Sequence, residues 1–171
     1  MSFTNYSEKE VLSWNDPNKS IWYCMRASDN CLPYNLKLHE EIILKTENMK
    51  DIYNYCKLFS HTFDDNKYKL IERIFLKLKP DVDCIFSMIF YIEYFRNNCS
   101  SLEKLLIESN PSSHYLITIC CDLDNSNKKA IIDRLIELNK INPVKYILSR
   151  FEENGSNKEL VDKYKELLIF L

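Results

Sequence analysis

Apolar residues along this chain fall into short clusters with helical spacing, and the clusters recur. Five positions, Pro17, Met49, Pro80, Pro111 and Pro143, are each followed by apolar side chains about four, five and eight residues on. The first copy places Ile21, Trp22 and Met25 there, and the second, shifted by one, Tyr53, Cys56 and Phe59. Cys84, Ile85 and Met88 follow, then Tyr115, Leu116 and Ile119, then Ile147, Leu148 and Phe151. Such spacing lines one face of an α-helix. An apolar pair also stands five or six residues ahead of each position: Val11-Leu12, Ile43-Leu44, Ile74-Phe75 and Leu105-Leu106. In the fifth copy the pair slips to Leu135-Ile136, which implies a longer first helix.

The prolines set the period. Pro17 and Pro80 are 63 residues apart, Pro80 and Pro111 are 31 apart, and Pro111 and Pro143 are 32 apart. Met49 fills the slot that the 63-residue gap leaves open. Proline suits the first turn of a helix because its missing N–H is not needed there. The residue before it is then the helix cap, whose side chain takes a free backbone N–H. Asp16, Asn48, Asn110 and Asn142 suit that role, and Lys79 is the exception.

These regularities predict an all-α fold of stacked helical hairpins, an αα superhelix or solenoid, in a single domain. The expected hairpins cover about 6–34, 35–63, 67–98, 101–125 and 128–153, with a capping helix at 157–171 marked by Leu160, Tyr164, Leu167 and Leu168. A lone hairpin leaves its apolar face uncovered, so neighbours must stack. Two stretches admit another reading. Tyr115 to Cys121 is β-branched enough for a buried strand, but its place in the repeat favours helix. Cys84 to Phe95 is apolar nearly all round, as in a central helix covered on both sides, and the same pattern fits an exposed groove.

Composition narrows the chemistry. The one glycine, Gly155, is too few for a phosphate cradle, a nucleotide fold or a strained nucleophile turn. A net charge of −2, with basic residues scattered beside acidic ones, argues against a dedicated nucleic-acid binder. Met1 to Glu10 is polar and acidic, unlike a signal peptide, and no apolar run approaches the roughly 20 residues that span a bilayer. Seven cysteines, an odd number, sit mostly inside apolar runs, as reduced thiols in the cytoplasm would. The four Asn-x-Ser sequons, at Asn5, Asn18, Asn98 and Asn154, are what an Asn- and Ser-rich chain produces by chance.

Candidate chemistry is sparse. His39, His61 and His114 lie far apart, and no Cys-x-x-Cys occurs, so no metal site is expected. Cys24 and Cys31 are candidates for a disulfide or reactive pair, with ordinary packing as the alternative. Asp64-Asp65 and Asp122/Asp124 read as solvated turns, while Asp81 and Asp83 fit a first helical turn, where negative charge meets the positive dipole end.

The layout resembles the αα-hairpin repeat arrays, the tetratricopeptide, HEAT-like and clathrin-heavy-chain-like proteins. It lacks the Trp…Leu-Gly…Tyr signature of the first of these, whose period is longer, and the Thr-Pro-Leu-His signature of ankyrin repeats. The AT-rich amino-acid bias, with no glutamine and two alanines, resembles chains from large DNA viruses or protozoan parasites. In size and composition it is also similar to the compact Bcl-2-like host-modulating bundles of such viruses. The array resemblance implies a non-catalytic module that binds a protein or peptide on a surface lined by the second helices, with no cofactor. Trp22, Tyr23, Tyr55, Tyr91 and Tyr94, beside the apolar stripe, are the expected binding aromatics. A homodimer through Leu160 to Leu171 is a further expectation.

Overall fold

Helix starts here are set by short polar side chains that take the free N–H groups of a first turn. The computed structural model describes residues 6–46, 48–78, 80–98 and 100–170. Ser7 opens α1 (Glu8–Ser13) with a reciprocal box, its backbone N–H donating to Glu10 Oε2 at 2.7 Å and its hydroxyl accepting from the Glu10 N–H. Asp16 accepts from the Lys19 N–H to start α2 (Pro17–Asp29), with Pro17 at its first position. After α3 (Leu36–Leu44), Asn48 caps α4 (Met49–Phe59), which runs into a single 3₁₀ turn at Ser60–Thr62. Then follow α5 (Asp65–Leu78), α6 (Val82–Tyr91), α7 (Glu93–Asn97), α8 (Ser100–Glu108) and α9 (Ser113–Asp122). The last are α10 (Lys128–Glu137), α11 (Ile141–Glu153) and α12 (Lys158–Leu168). The fold is all-α, with no strand among the described residues, and the β-branched run from Tyr115 to Cys121 is part of α9. No described helix is long and apolar enough to cross a membrane.

The caps correct part of the expected pattern. Asp16 and Asn48 hold the roles assigned to them, and Lys79 lies outside the described residues. Asn110 does not cap α9; it sits at φ 59° in the left-handed region, and Ser112 is the N-cap. Asn142 lies inside α11, which begins at Ile141, so Pro143 stands in its first turn. Proline is tolerated anywhere in that turn because none of those N–H groups has an intrahelical partner, so its exact register was free to drift.

Turns are made by asparagine in the left-handed conformation: Asn15 between α1 and α2, Asn110 between α8 and α9, and Asn139 between α10 and α11. A short amide side chain tolerates positive φ better than most residues, so a chain nearly without glycine still turns sharply. At the end of α10 the Lys140 N–H reaches the Leu135 carbonyl at 2.8 Å and the Asn139 N–H the Ile136 carbonyl at 2.8 Å, a Schellman closure.

The chain clusters into two compact bodies, Met1–Ile92 and Glu93–Leu171. In the first, α2 packs on α3 and α4, α4 packs on α6, and α1 lies against α3. In the second, α8 lies on α10, α9 on α11, and α12 closes on α11. Each predicted apolar pair divides: Val11, Ile43, Phe75, Leu106 and Leu135 are buried, and their neighbours are half-buried. Second helices contribute sulfur every 32 residues, at Cys24, Cys56, Met88 and Cys120, all fully buried. Thiols are small and thioethers adaptable, so helices approach closely around them.

Buried or half-buried acids on α1, α3, α8 and α10 also tie these helices to elements further along the chain. Glu8 Oε1 accepts the Asn35 N–H at the start of α3 at 2.6 Å, and Glu103 Oε1 accepts the Asn127 N–H at the start of α10 at 2.8 Å. Glu40 on α3 pairs with Lys67 on α5 and accepts the Tyr55 hydroxyl. Asp133 on α10 accepts the Tyr164 hydroxyl from α12, 31 residues further on.

Candidate interaction groove

Trp22 and Tyr23 lie on α2, and Arg26 follows Trp22 by one helical turn, so its side chain covers the same face. The Arg26 guanidinium sits 5.3 Å from the Trp22 ring centroid. Beyond Asp29 the helix closes on Cys31 at φ 53°: the Leu32 N–H reaches the Ala27 carbonyl at 2.8 Å and the Cys31 N–H the Ser28 carbonyl at 3.1 Å. This closure folds Leu32 back toward α2 while leaving it 56% exposed. Tyr6, immediately ahead of the α1 cap, supplies another wall and meets Trp14 edge-on at 4.9 Å. The result is a groove of about 380 Å³ lined by Tyr6, Trp22, Tyr23, Arg26, Asn30 and Leu32.

Its floor is rigid. Tyr23 stacks on the imidazole of His39 at 5.2 Å and 24°. His39 is fully buried, with Nε2 3.2 Å from Glu8 Oε1, and neither ring nitrogen is aligned for a hydrogen bond. Glu8 Oε1 is engaged by the Asn35 N–H instead. Burial pushes the His39 pKa down and Glu8 pulls part of the way back, while burial and Glu8 both raise the Tyr23 phenol. Cys24, on the next position of α2, is fully buried and pushed up to about 12 by burial and Glu8, which makes it a packed thiol with no nucleophilic character at neutral pH. Cys24 and Cys31 are both free, one buried and one exposed, so they form no pair.

Of the five aromatics singled out by spacing, the groove gathers Trp22 and Tyr23. Tyr55 is a correction. It is fully buried, its hydroxyl donates to Glu40, and its ring rests against Phe59 and Phe63 at 5.7 and 5.0 Å. Being one residue off the apolar stripe did not expose it, because α4 is covered by α2, α3, α5 and α6. Tyr91 is 61% exposed at the end of α6, edge-on to Phe90, which stacks on Phe86 at 5.4 Å. Tyr94 is half-buried on α7 in the other body, edge-on to Phe95. Spacing missed Tyr6, Arg26 and Leu32. Arg26 had a signal, standing four residues after Trp22, whereas Leu32 depends on a turn at Cys31 that no sequence rule assigns to cysteine.

A second concavity of about 350 Å³ lies between α9 and α11, lined by His114, Thr118, Cys121, Asp122, Tyr146 and Arg150. Its residue types suggest acid–base work, but its geometry does not assemble it. Among the described residues no hydrogen bond joins His114 to Cys121 or Asp122, Arg150 turns to Glu153 at 3.4 Å, and burial and Asp122 raise the Cys121 thiol. No cluster of three or more His, Cys, Asp or Glu side chains among the described residues is placed to hold a metal ion. Asp64 and Asp81 accept the Lys67 and Cys84 N–H groups at helix starts. No family model, no curated protein and no solved structure matches this chain.

Proposed function

We propose that this chain is a non-catalytic interaction module, a stack of αα-hairpins of the tetratricopeptide- and HEAT-like kind, that receives a protein or peptide segment in the groove on α2. The observation that carries this reading is the groove itself: an aromatic floor braced from below by His39, an exposed Leu32 on the rim and one guanidinium. Rigid amphipathic rings in a concave site are typical binding hot spots. The side-by-side packing of second helices supports the repeat reading, since it is the arrangement from which helical arrays build a binding face. The raised thiols of Cys24, Cys84 and Cys120 support a non-catalytic role for those residues, and the free state of the described cysteines suits a reducing, cytoplasmic setting.

The test is capture from nuclease-treated extract of the cells that express the chain, with the wild type beside a Trp22→Ala/Tyr23→Ala variant of unchanged helicity. A partner held by the wild type and released by the variant supports the groove. A partner held equally by both removes the groove from the account, and no partner at physiological salt removes the module.

A further inference from the structure

Charge identifies the partner more closely. Among the described residues that line the α2 groove, Arg26 is the single charged one. The concavities at Asp122 and Arg150, at Glu108 and Arg134, and at Glu40 and Lys67 each carry both signs. Among the described residues, Arg26, Arg134 and Arg150 are the arginines with an acid three residues on, and Arg26 is the one that does not pair with it. Arg134 pairs with Glu137 at 3.0 Å and Arg150 with Glu153 at 3.4 Å, each reaching an acid three residues on. Arg26 has Asp29 at that same offset, yet no ion pair joins them. Its guanidinium is turned over the Trp22 indole, at the groove, and no carboxylate among the described residues takes it. The neighbouring cation Lys19 does pair, with Asp16, and lies over Trp14.

A guanidinium placed over an aromatic ring gives none of its N–H groups to a carboxylate there, so its fork stays available for one. Beside it Trp22, Tyr23 and the exposed Leu32 line the groove and give it apolar surface. The volume of about 380 Å³ suits a few side chains of an extended segment more than a folded face. On the reading of this groove as a docking site, we infer that its occupant is an acidic linear peptide. One Asp or Glu carboxylate meets Arg26, and an adjacent aromatic or aliphatic side chain lies on Trp22 and Tyr23. Salt weakens such binding without abolishing it, because the ion pair is partly exposed and the ring contacts are not ionic.

The experiment pans a displayed library of random octapeptides on the full chain, with Arg26→Glu and Trp22→Ala variants in parallel. Affinities of the enriched peptides are then measured by fluorescence anisotropy. The expected result is enrichment of Asp or Glu next to an aromatic or aliphatic residue. Arg26→Glu then weakens those peptides roughly tenfold or more and shifts selection toward Lys and Arg. Should Trp22→Ala lose helicity, Trp22→Leu replaces it. Neutral or basic peptides that survive Arg26→Glu but are lost with the Trp22 variant would overturn the acidic partner and leave the docking groove standing. An absence of enriched peptides, or binding indifferent to Trp22, would overturn both.

Discussion

Glu103 Oε1 accepts the backbone N–H of Asn127 at 2.8 Å, across 24 residues, in the way that Glu8 accepts that of Asn35. In each case an acid holds the start of a later helix: Glu8 of α1 that of α3, and Glu103 of α8 that of α10. Removing it strands a backbone donor and leaves a hole, so Glu103→Ala should destabilise the protein by about 1–3 kcal/mol in urea titration. Glu103→Gln keeps an acceptor oxygen and should recover most of that loss. Burial raises the Glu103 pKa above its usual 4.5, so its protonated form favours the folded state. Its contribution is full below that value and fades as pH rises through the folded pKa. The Gln variant should therefore gain on the wild type as pH rises from the acid side.

The Asp133–Tyr164 bond is the corresponding tie at the end of the second body. Tyr164 is almost fully buried, and Tyr164→Phe removes only the hydroxyl. We expect a loss of about 1–2 kcal/mol, with early loss of amide protection in α12 by hydrogen exchange. Equal loosening of α8 and α12 would contradict a local tie.

His39 carries the pH dependence beneath the groove. Burial lowers its pKa from 6.5, with Glu8 opposing and Tyr23 stacked on its face. The neutral ring thus favours the fold. Its contribution is present above about pH 6.5 and is lost as pH falls toward the folded value. Urea midpoints should drop on acidification from pH 7 in the wild type, and the drop should shrink in His39→Phe. An unchanged slope would show that the ring takes up its proton alike in the folded and the unfolded chain.

Cys31 adopts φ 53° at the end of α2, a conformation that strains a side-chain-bearing residue by roughly 1–2 kcal/mol. Cys31→Gly should stabilise the protein by about 1 kcal/mol after the added freedom of the unfolded chain is counted, and Cys31→Val should destabilise it. A midpoint that falls in the glycine variant would mean that the thiol contributes packing despite its exposure.

The helices were legible because burial imposes period on sequence. One member of every apolar pair from Val11-Leu12 to Leu135-Ile136 is buried, as an amphipathic helix requires. A second periodic signal lies in the acids: Glu8, Glu40, Glu72, Glu103 and Asp133 stand eight to ten residues ahead of Pro17, Met49, Pro80, Pro111 and Pro143. Charged residues on a helix are usually solvated, so nothing short of the Asn35 and Asn127 contacts marks two of these acids as links. The groove was half legible. Trp22 and Tyr23 follow from spacing, whereas the burial of Tyr55 and the exposure of Leu32 follow from which helices cover α4 and how the chain turns at Cys31.

Cys31, between the groove residues Asn30 and Leu32 in sequence, offers an exposed thiol for the most direct test. A benzophenone maleimide on this cysteine, with Cys31→Ser as control, is irradiated in extract from cells that express the chain, and the adducts are sequenced. The expected result is a discrete adduct through a short acidic segment of one partner, absent from Cys31→Ser and from Trp22→Ala. No adduct, or one that forms equally well without Trp22, would contradict a docking site on α2.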